Sequence, residues 1–105
     1  KWAVAGRDPS KLRAVVDRVV GTHSAAAAVE CVLVDLTKQD TVLAMCQRTR
    51  VVIACAGPFD TLGMKVVDAC VQSRTHYVDI TGEFQYVRKM IEAYDEKAKS
   101  ANVML

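Results

Sequence analysis

An apolar run that ends in a Gly-Pro turn is the stretch of this sequence best suited to hold a ligand. Residues 51–56 are apolar, Gly57 and Pro58 follow, and a helical pattern begins two residues later. A buried parallel strand presents such a turn at its carboxyl end, where open α/β folds bind ligands. Gly57 lets the backbone approach a ligand or take positive φ, and Pro58 cannot extend the strand because it has no N–H. The turn is therefore either a binding site or an ordinary β-to-α connection.

Three further aspartates add polar groups to the predicted sheet edge. Asp60 is predicted to cap the helix after the turn, whose first N–H groups would also be available to an anion. Residues 34–37 and 78–81 each place an Asp and a Thr at the carboxyl end of a predicted strand. Because the carboxyl ends of parallel strands meet at one edge, we expect these groups to lie where ligands bind.

Composition describes a globular chain and excludes several classes of partner. The 105 residues are 51% hydrophobic and 25% charged, with a formal net charge of +2, which fits one domain or part of one. Lys and Arg are scattered among acids and form no basic stripe, so we expect no nucleic-acid partner. No apolar run approaches the roughly 18–20 residues that a bilayer requires, so no membrane span is expected in this stretch.

The cysteines and histidines form no metal-binding pattern. The cysteines lie far apart without a Cys-x-x-Cys pair, and three are inside apolar segments, which is typical of structural thiols in a reducing intracellular compartment. His23 and His76 have no Cys or carboxylate at metal-ligand spacing. We therefore expect no metal site and assign no chemistry to Cys31, Cys46, Cys55 and Cys70.

The elements that must position these residues alternate between strand and helix. Strands are predicted over residues 2–5, 30–35, 51–56 and 76–80, with a fifth starting at 103–105. Helices are predicted over about 9–20, 38–48, 60–73 and 84–101, and residues 24–29 as the end of a loop. This alternation implies right-handed crossovers, so the predicted fold is α/β, doubly wound, with a mostly parallel sheet and helices on both faces.

Local signals inside these elements make more specific predictions. Asp8 is expected to cap the first helix, and Thr37 and Asp40 to form a variant capping box for the second. Gly63 is small enough for close packing of the third helix. Apolar residues at steps of three and four predict the inward face of the last helix, namely Phe84, Val87, Ile91, Tyr94, Ala98 and Ala101.

Four segments together resemble the Rossmann domain of saccharopine dehydrogenase-like oxidoreductases. They are residues 3–8, 34–36, 55–59 and 77–83, of which the Gly-Pro-Phe turn and the run Tyr-Val-Asp-Ile-Thr-Gly-Glu are the most specific. The resemblance implies that the chain holds the second to sixth strands, with the first strand and its glycine-rich turn before it and a substrate and dimerisation domain after it. In the order 3-2-1-4-5-6 the first strand is central, so the strands at 2–5 and 51–56 should not pair with each other.

The resemblance also implies a dinucleotide cofactor. Arg7, after Gly6 at the end of the implied second strand, would reach the adenosine ribose. An acid there would bind a 2′-OH, whereas a guanidinium pairs with a 2′-phosphate, so NADP is favoured over NAD. The alternative is that Arg7 covers a surface or pairs with Asp8. Asp35 and Leu36 would flank the adenine, although Asp35 is equally suited to a helix-cap or solvated role.

The other implied contacts lie at the far end of the cofactor and towards the substrate. Those towards the nicotinamide ribose are Ala56, Gly57, Pro58 and Phe59, and those near the substrate are Asp79, Gly82 and Glu83. Phe59 is equally compatible with a core position, and Glu83 with a purely electrostatic effect on a helix N-terminus. No residue is assigned a catalytic role, because hydride transfer is chemistry of the cofactor.

Three functions follow from this reading. The first is an NADP-dependent saccharopine dehydrogenase-like oxidoreductase with a small-molecule substrate, whose dimerisation domain implies a homo-oligomer. The second is a non-catalytic NADP sensor or interaction protein on the same fold. The third, a flavodoxin-like or receiver-type domain, would bind phosphate or flavin and would have no use for Arg7.

Overall fold

A computed structural model describes residues 1–22 and 29–105, which form strands and helices in strict alternation. The strands are β1 (Ala3–Gly6), β2 (Glu30–Leu33), β3 (Val51–Ala54) and β4 (His76–Asp79). The helices are α1 (Pro9–Thr22), α2 (Gln39–Cys46), α3 (Phe59–Ser73) and α4 (Phe84–Ala101). The predicted α/β class is confirmed. The loop predicted at residues 24–28 lies outside the described residues.

The chain divides into two compact units, and the first comprises Lys1–Asp35. Its strands β1 and β2 are parallel, with Gly6 aligned with Leu33. The N–H of Val34 donates to the carbonyl of Gly6 at 2.9 Å and extends this pairing by one residue. Helix α1 links the two strands, so this unit is a single β-α-β element.

Helix α1 begins as the sequence predicts and ends later than predicted. The backbone N–H of Lys11 donates to Oδ1 of Asp8 at 3.0 Å, which confirms Asp8 as the cap. The helix continues through Gly21 to Thr22. A glycine weakens a helix by only about 1 kcal/mol relative to alanine, so it does not by itself end one.

The second unit, Leu36–Leu105, contains the parallel pair β3 and β4. Residues 103–105 form no regular strand, but the N–H of Tyr77 donates to the carbonyl of Met104 at 2.9 Å, so they run beside β4 as predicted. Helix α4 ends at Asn102, which has φ of 56°. The pairings β1–β2 and β3–β4 are those that the order 3-2-1-4-5-6 requires on either side of its first strand.

The core of the second unit lies where α3 meets α2 and α4. Val42, Cys46 and Cys70 are fully buried between α2 and α3, and the two sulfur atoms lie 3.6 Å apart. On the other side of α3, a Cβ atom on Gly63 would come within 2.8 Å of the Tyr86 side chain. The prediction that Gly63 permits close packing is therefore confirmed.

Two local predictions are wrong, the second only in part. Thr37 is not the N-cap that a capping box with Asp40 requires, since the N-cap of α2 is Lys38, whose side chain makes no capping hydrogen bond. In α4 the predicted inward face is correct in part, since Ala98 is buried and Val87, Tyr94 and Ala101 are half-buried. Phe84 and Ile91, however, are 77% and 57% exposed, and Tyr86 is fully buried instead. The inward face is rotated from the predicted one because the tyrosine ring fits against Gly63 and its hydroxyl finds a partner inside the unit.

Candidate functional site

In the first unit, the predicted cofactor residues lie at the carboxyl edge of the sheet. Gly6 is the last residue of β1, Arg7 follows it, and Asp35 comes two residues after the end of β2. The hydrogen bond between Val34 and Gly6 ties the two strand ends together. The structure thus brings Gly6, Arg7 and Asp35 to one edge. Leu36 follows directly and opens the second unit.

The turn after β1 presents Arg7 to solvent. A Cβ atom on Gly6 would lie 3.2 Å from Cδ2 of Leu12, so the small residue lets α1 begin close to the strand. Oδ1 of Asp8 accepts from the backbone of Lys11. The side chain of Arg7 is exposed and makes no ion pair or hydrogen bond within residues 1–22 and 29–105, so the pairing with Asp8 considered above is not found.

In the second unit, the Gly-Pro turn joins β3 to α3. Ala56, Gly57 and Pro58 are exposed, and the Gly57–Pro58 peptide bond is cis. Gly57 does not have positive φ. Its role in the turn is therefore to leave the backbone uncovered by a side chain. Phe59 is 7% exposed, with its ring centroid 5.9 Å from that of Tyr86. The aromatic ring is therefore part of the core, and only the backbone of Phe59 faces the turn.

The N-terminus of α3 is capped by a residue far away in sequence. The N–H groups of Phe59 and Asp60 donate to Oε1 and Oε2 of Glu83 at 3.0 and 2.9 Å. The N-cap residue is Pro58, so the predicted capping role of Asp60 is wrong. Asp60 instead binds Nζ of Lys89 at 2.6 Å. The two N–H groups that the sequence suggested for an external anion already hold an internal carboxylate.

The segment from β4 to α4 is fixed by hydrogen bonds of Asp79 and Thr81. Oδ2 of Asp79 accepts from the hydroxyl of Tyr77 at 2.8 Å, and Oδ1 accepts from the N–H of Thr81 at 3.0 Å. Oγ1 of Thr81 then accepts from the N–H of Glu83 at 3.0 Å. These bonds connect the end of β4 to the carboxylate that caps α3.

Two buried tyrosines anchor this segment in the core. The hydroxyls of Tyr77 and Tyr86 lie 2.9 Å apart, and the residues are 1% and 0% exposed. Burial raises the pKa of both phenols above the usual value, because an ionised oxygen would lose its hydration. Both hydroxyls are therefore neutral near pH 7. The hydroxyl of Tyr77 is then a stable donor to Asp79.

Sequence reasoning missed the tyrosine pair and the Glu83 cap. A signal for the first was present, since a buried Tyr needs a hydrogen-bond partner and Asp79 lies two residues from Tyr77 on the same face of a strand. Among the predicted substrate-side residues, the structure joins Asp79 to Glu83 through Thr81. Gly82 is exposed, and a Cβ atom there would meet no atom within 4 Å.

The described residues hold neither a metal cluster nor a disulfide. Within residues 1–22 and 29–105, no group of three or more His, Cys, Asp or Glu side chains could hold a metal ion. Cys31, Cys46, Cys55 and Cys70 are all free thiols. Of the helices that the structure describes, none is both long and apolar enough to cross a bilayer.

Known proteins share both the sequence pattern and the fold. The family model for the saccharopine dehydrogenase NADP binding domain matches residues 1–105. A saccharopine dehydrogenase-like oxidoreductase of Bos taurus is 34% identical over 99% of this chain and 25% of its own length. A trans-acting enoyl reductase of Mycobacterium ulcerans (strain Agy99) is 34% identical over 91% of this chain and 22% of its own length.

A solved structure has the same fold. The apo form of saccharopine dehydrogenase (L-Glu forming) from Saccharomyces cerevisiae aligns with a TM-score of 0.69 at 18% identity, over 96% of this chain and 20% of that one. At this level of identity the likeness establishes the Rossmann-type fold. The chain spans about a quarter of the length of the curated relatives that it matches.

Proposed function

This chain belongs to the family of saccharopine dehydrogenase NADP-binding domains, and from that premise we propose that it serves an NADP-dependent oxidoreductase acting on a small-molecule substrate. The observation that carries the proposal is the exposed Arg7 at the carboxyl edge of the first sheet, without an ion pair among the described residues. A guanidinium in this position suits the 2′-phosphate that distinguishes NADP from NAD.

The adenine half of the cofactor would be held by the first unit. Arg7 would bind the 2′-phosphate through charge-assisted hydrogen bonds, and Gly6 lets α1 begin close to the end of β1. Asp8 makes no ion pair with Arg7 among the described residues, and Oδ1 of its carboxylate accepts from Lys11. Asp35 and Leu36 would flank the adenine.

The nicotinamide half would be held by the turn between β3 and α3. Ala56, Gly57 and Pro58 expose their backbone there, while Phe59 contributes only its main chain because the ring is buried. Bound NADPH would supply the hydride, and the protein would orient the cofactor and provide the electrostatic environment. Asp79, Gly82 and Glu83 would lie towards the substrate, with Gly82 leaving open space at that edge.

The names of the relatives suggest two substrate classes. A saccharopine dehydrogenase-like enzyme would act on a carbon–nitrogen bond of an amino acid derivative, and an enoyl reductase on a carbon–carbon double bond. Site chemistry rather than fold decides between such substrates. Imines and enones are accordingly the substrates to test first.

One observation favours a second candidate, a non-catalytic NADP sensor. Both carboxylates near the proposed substrate edge are engaged inside the protein, Asp79 with Tyr77 and Thr81, and Glu83 with the N-terminus of α3. Within residues 1–22 and 29–105, a substrate edge whose two carboxylates both hold internal hydrogen bonds suits binding without turnover.

Titration of the intact protein with NADPH and NADH, followed by assays with imines, enones and amino acids, tests both candidates. Preferential NADPH binding with oxidation by one substrate class supports the oxidoreductase. Preferential NADPH binding without turnover on any of them supports the sensor. Equal affinity for the two cofactors, or no binding of either, contradicts the assignment of Arg7 to a 2′-phosphate.

A further inference from the structure

We propose that Glu83 is a positioning residue of the cofactor site, whose carboxylate takes the place of an anionic ligand at the N-terminus of α3. In this role it fixes the Gly57–Pro58 turn and excludes phosphate from it. The inference rests on the proposed function and deepens it, because it assigns an uncharged part of the dinucleotide to this turn.

The contacts at the start of α3 carry the proposal. A helix N-terminus has a partial positive charge and N–H groups without partners, which normally makes it attractive to phosphate. Here the N–H groups of Phe59 and Asp60 each donate to a different oxygen of Glu83, at 3.0 and 2.9 Å. An incoming phosphate would have to displace this carboxylate and would be repelled by its charge.

The backbone of Glu83 is itself held in place. Its N–H donates to Thr81, whose own N–H donates to Asp79, and Asp79 accepts from the buried hydroxyl of Tyr77. The cap is therefore set by the core of the unit. Because the backbone of Glu83 is fixed between β4 and α4, its side chain fixes the turn before α3 relative to these two elements.

A second link joins the same two helices at the surface. Lys89 of α4 binds Asp60 of α3 at 2.6 Å, with both side chains about half exposed. An exposed ion pair of this kind contributes little free energy. The carbonyl of Pro58 accepts from Leu62 and Thr61 within α3, whereas the two hydrogen bonds to Glu83 tie the start of α3 to the segment between β4 and α4. Loss of the bonds to Glu83 should therefore loosen the turn relative to that segment.

Two variants of the intact protein test this role, with a matched control. Glu83→Ala removes both acceptors, and Glu83→Gln removes the charge and one acceptor. Glu92→Gln changes an exposed glutamate of α4 that pairs with Arg88. The ligands are NADPH and adenosine 2′,5′-bisphosphate, which carries the adenine half alone.

We expect Glu83→Ala to weaken NADPH binding by roughly tenfold or more and to leave adenosine 2′,5′-bisphosphate binding within about twofold. Glu83→Gln should lie between this variant and the unmodified protein, and Glu92→Gln should change neither ligand. Formate at tens of millimolar should restore part of the NADPH affinity of Glu83→Ala, since it can occupy the vacated position. Chloride at the same concentration should not.

Three results would overturn the inference. These are unchanged NADPH affinity in Glu83→Ala, equal loss of both ligands, and a loss that formate does not reverse. If the unmodified protein binds no NADPH, it is the proposed function that fails. Amide hydrogen exchange then still tests the cap, because exchange at Phe59 and Asp60 should be faster in Glu83→Ala and slower again with formate.

Discussion

Gly63 lies directly against the side chain of Tyr86, so close that a Cβ atom on the glycine would be 2.8 Å from Cε2, Cζ and Oη. Tyr86 is fully buried and its hydroxyl is bound to Tyr77, so the ring cannot swing away without breaking that contact. The approach of α3 to α4, and with it the reach of Glu83 to the start of α3, therefore depends on the absence of a side chain at residue 63.

We accordingly expect Gly63→Ala to destabilise the protein. Overpacking a core by one methyl group costs about 1–3 kcal/mol, while alanine regains about 1 kcal/mol of helix propensity. The melting temperature of the intact protein should fall by several degrees, measured by scanning calorimetry. The control is Gly21→Ala in α1, where a Cβ atom meets nothing within 4 Å and only the propensity gain applies. Equal effects of the two changes would contradict this account.

The tyrosine pair should make stability sensitive to alkaline pH. Burial raises the pKa of Tyr77 and Tyr86 above the unfolded value of about 10. The two tyrosines thus make their full contribution to the free energy of unfolding below pH 10. This contribution is lost as the pH rises beyond 10, because the unfolded chain then binds fewer protons than the folded chain. The loss is about 1.4 kcal/mol per pH unit for each tyrosine that stays neutral in the folded state.

Urea unfolding between pH 8 and pH 11 measures this effect, with Tyr77→Phe as the variant. The variant should be less stable at pH 8, because Asp79 and Tyr86 lose a partner. It should also lose stability less steeply above pH 10. Tyr94→Phe should also reduce the slope in this range, because burial and the hydrogen bond to Asp68 raise the pKa of Tyr94 to about 12. If Tyr77→Phe keeps the full slope, the buried hydroxyl is not responsible.

Thiol accessibility gives a prediction for the contact between α2 and α3. Cys55 is exposed and Cys31 half-buried, whereas Cys46 and Cys70 are fully buried with their sulfur atoms 3.6 Å apart. The hydrogen bond with Cys46, together with burial, also raises the pKa of Cys70 and suppresses its thiolate. Iodoacetamide followed by mass spectrometry should therefore label Cys55 first and the buried pair only after unfolding. Early labelling of Cys70 would show that α2 separates readily from α3.

The sequence predicted several features that depend on neighbours along the chain, although Asp60 and Thr37 are not the N-caps that local signals suggested. Apolar runs located the four strands, and Asp8 was identified as a cap because it precedes Pro9. Arg7 was placed at the sheet edge because it follows the last residue of β1. What it could not supply were contacts between distant elements. Glu83 caps a helix that begins 24 residues earlier, and no local pattern signals such a partner.

The inward face of α4 shows the same limit. Spacing by three and four fits Phe84 and Ile91 as well as it fits Tyr86 and Met90. Tyr86 packs inward because Gly63 on α3 leaves room for its ring and because its hydroxyl contacts that of Tyr77 on β4. The spacing of apolar residues is compatible with several buried faces of a helix, and contacts with other elements determine which face is buried.

Arg7 offers the most direct test of cofactor choice. Arg7→Ala in the intact protein should weaken NADPH binding by about 1.5–3 kcal/mol, the value of a lost charge-assisted contact, and should leave NADH nearly unchanged. Arg13→Ala, an exposed arginine of α1 that no predicted contact involves, controls for the loss of one positive charge. Fluorescence titration with both cofactors measures the difference. Since the proposed role of the guanidinium is to bind the phosphate that NADH lacks, equal losses for the two cofactors would remove Arg7 from that role.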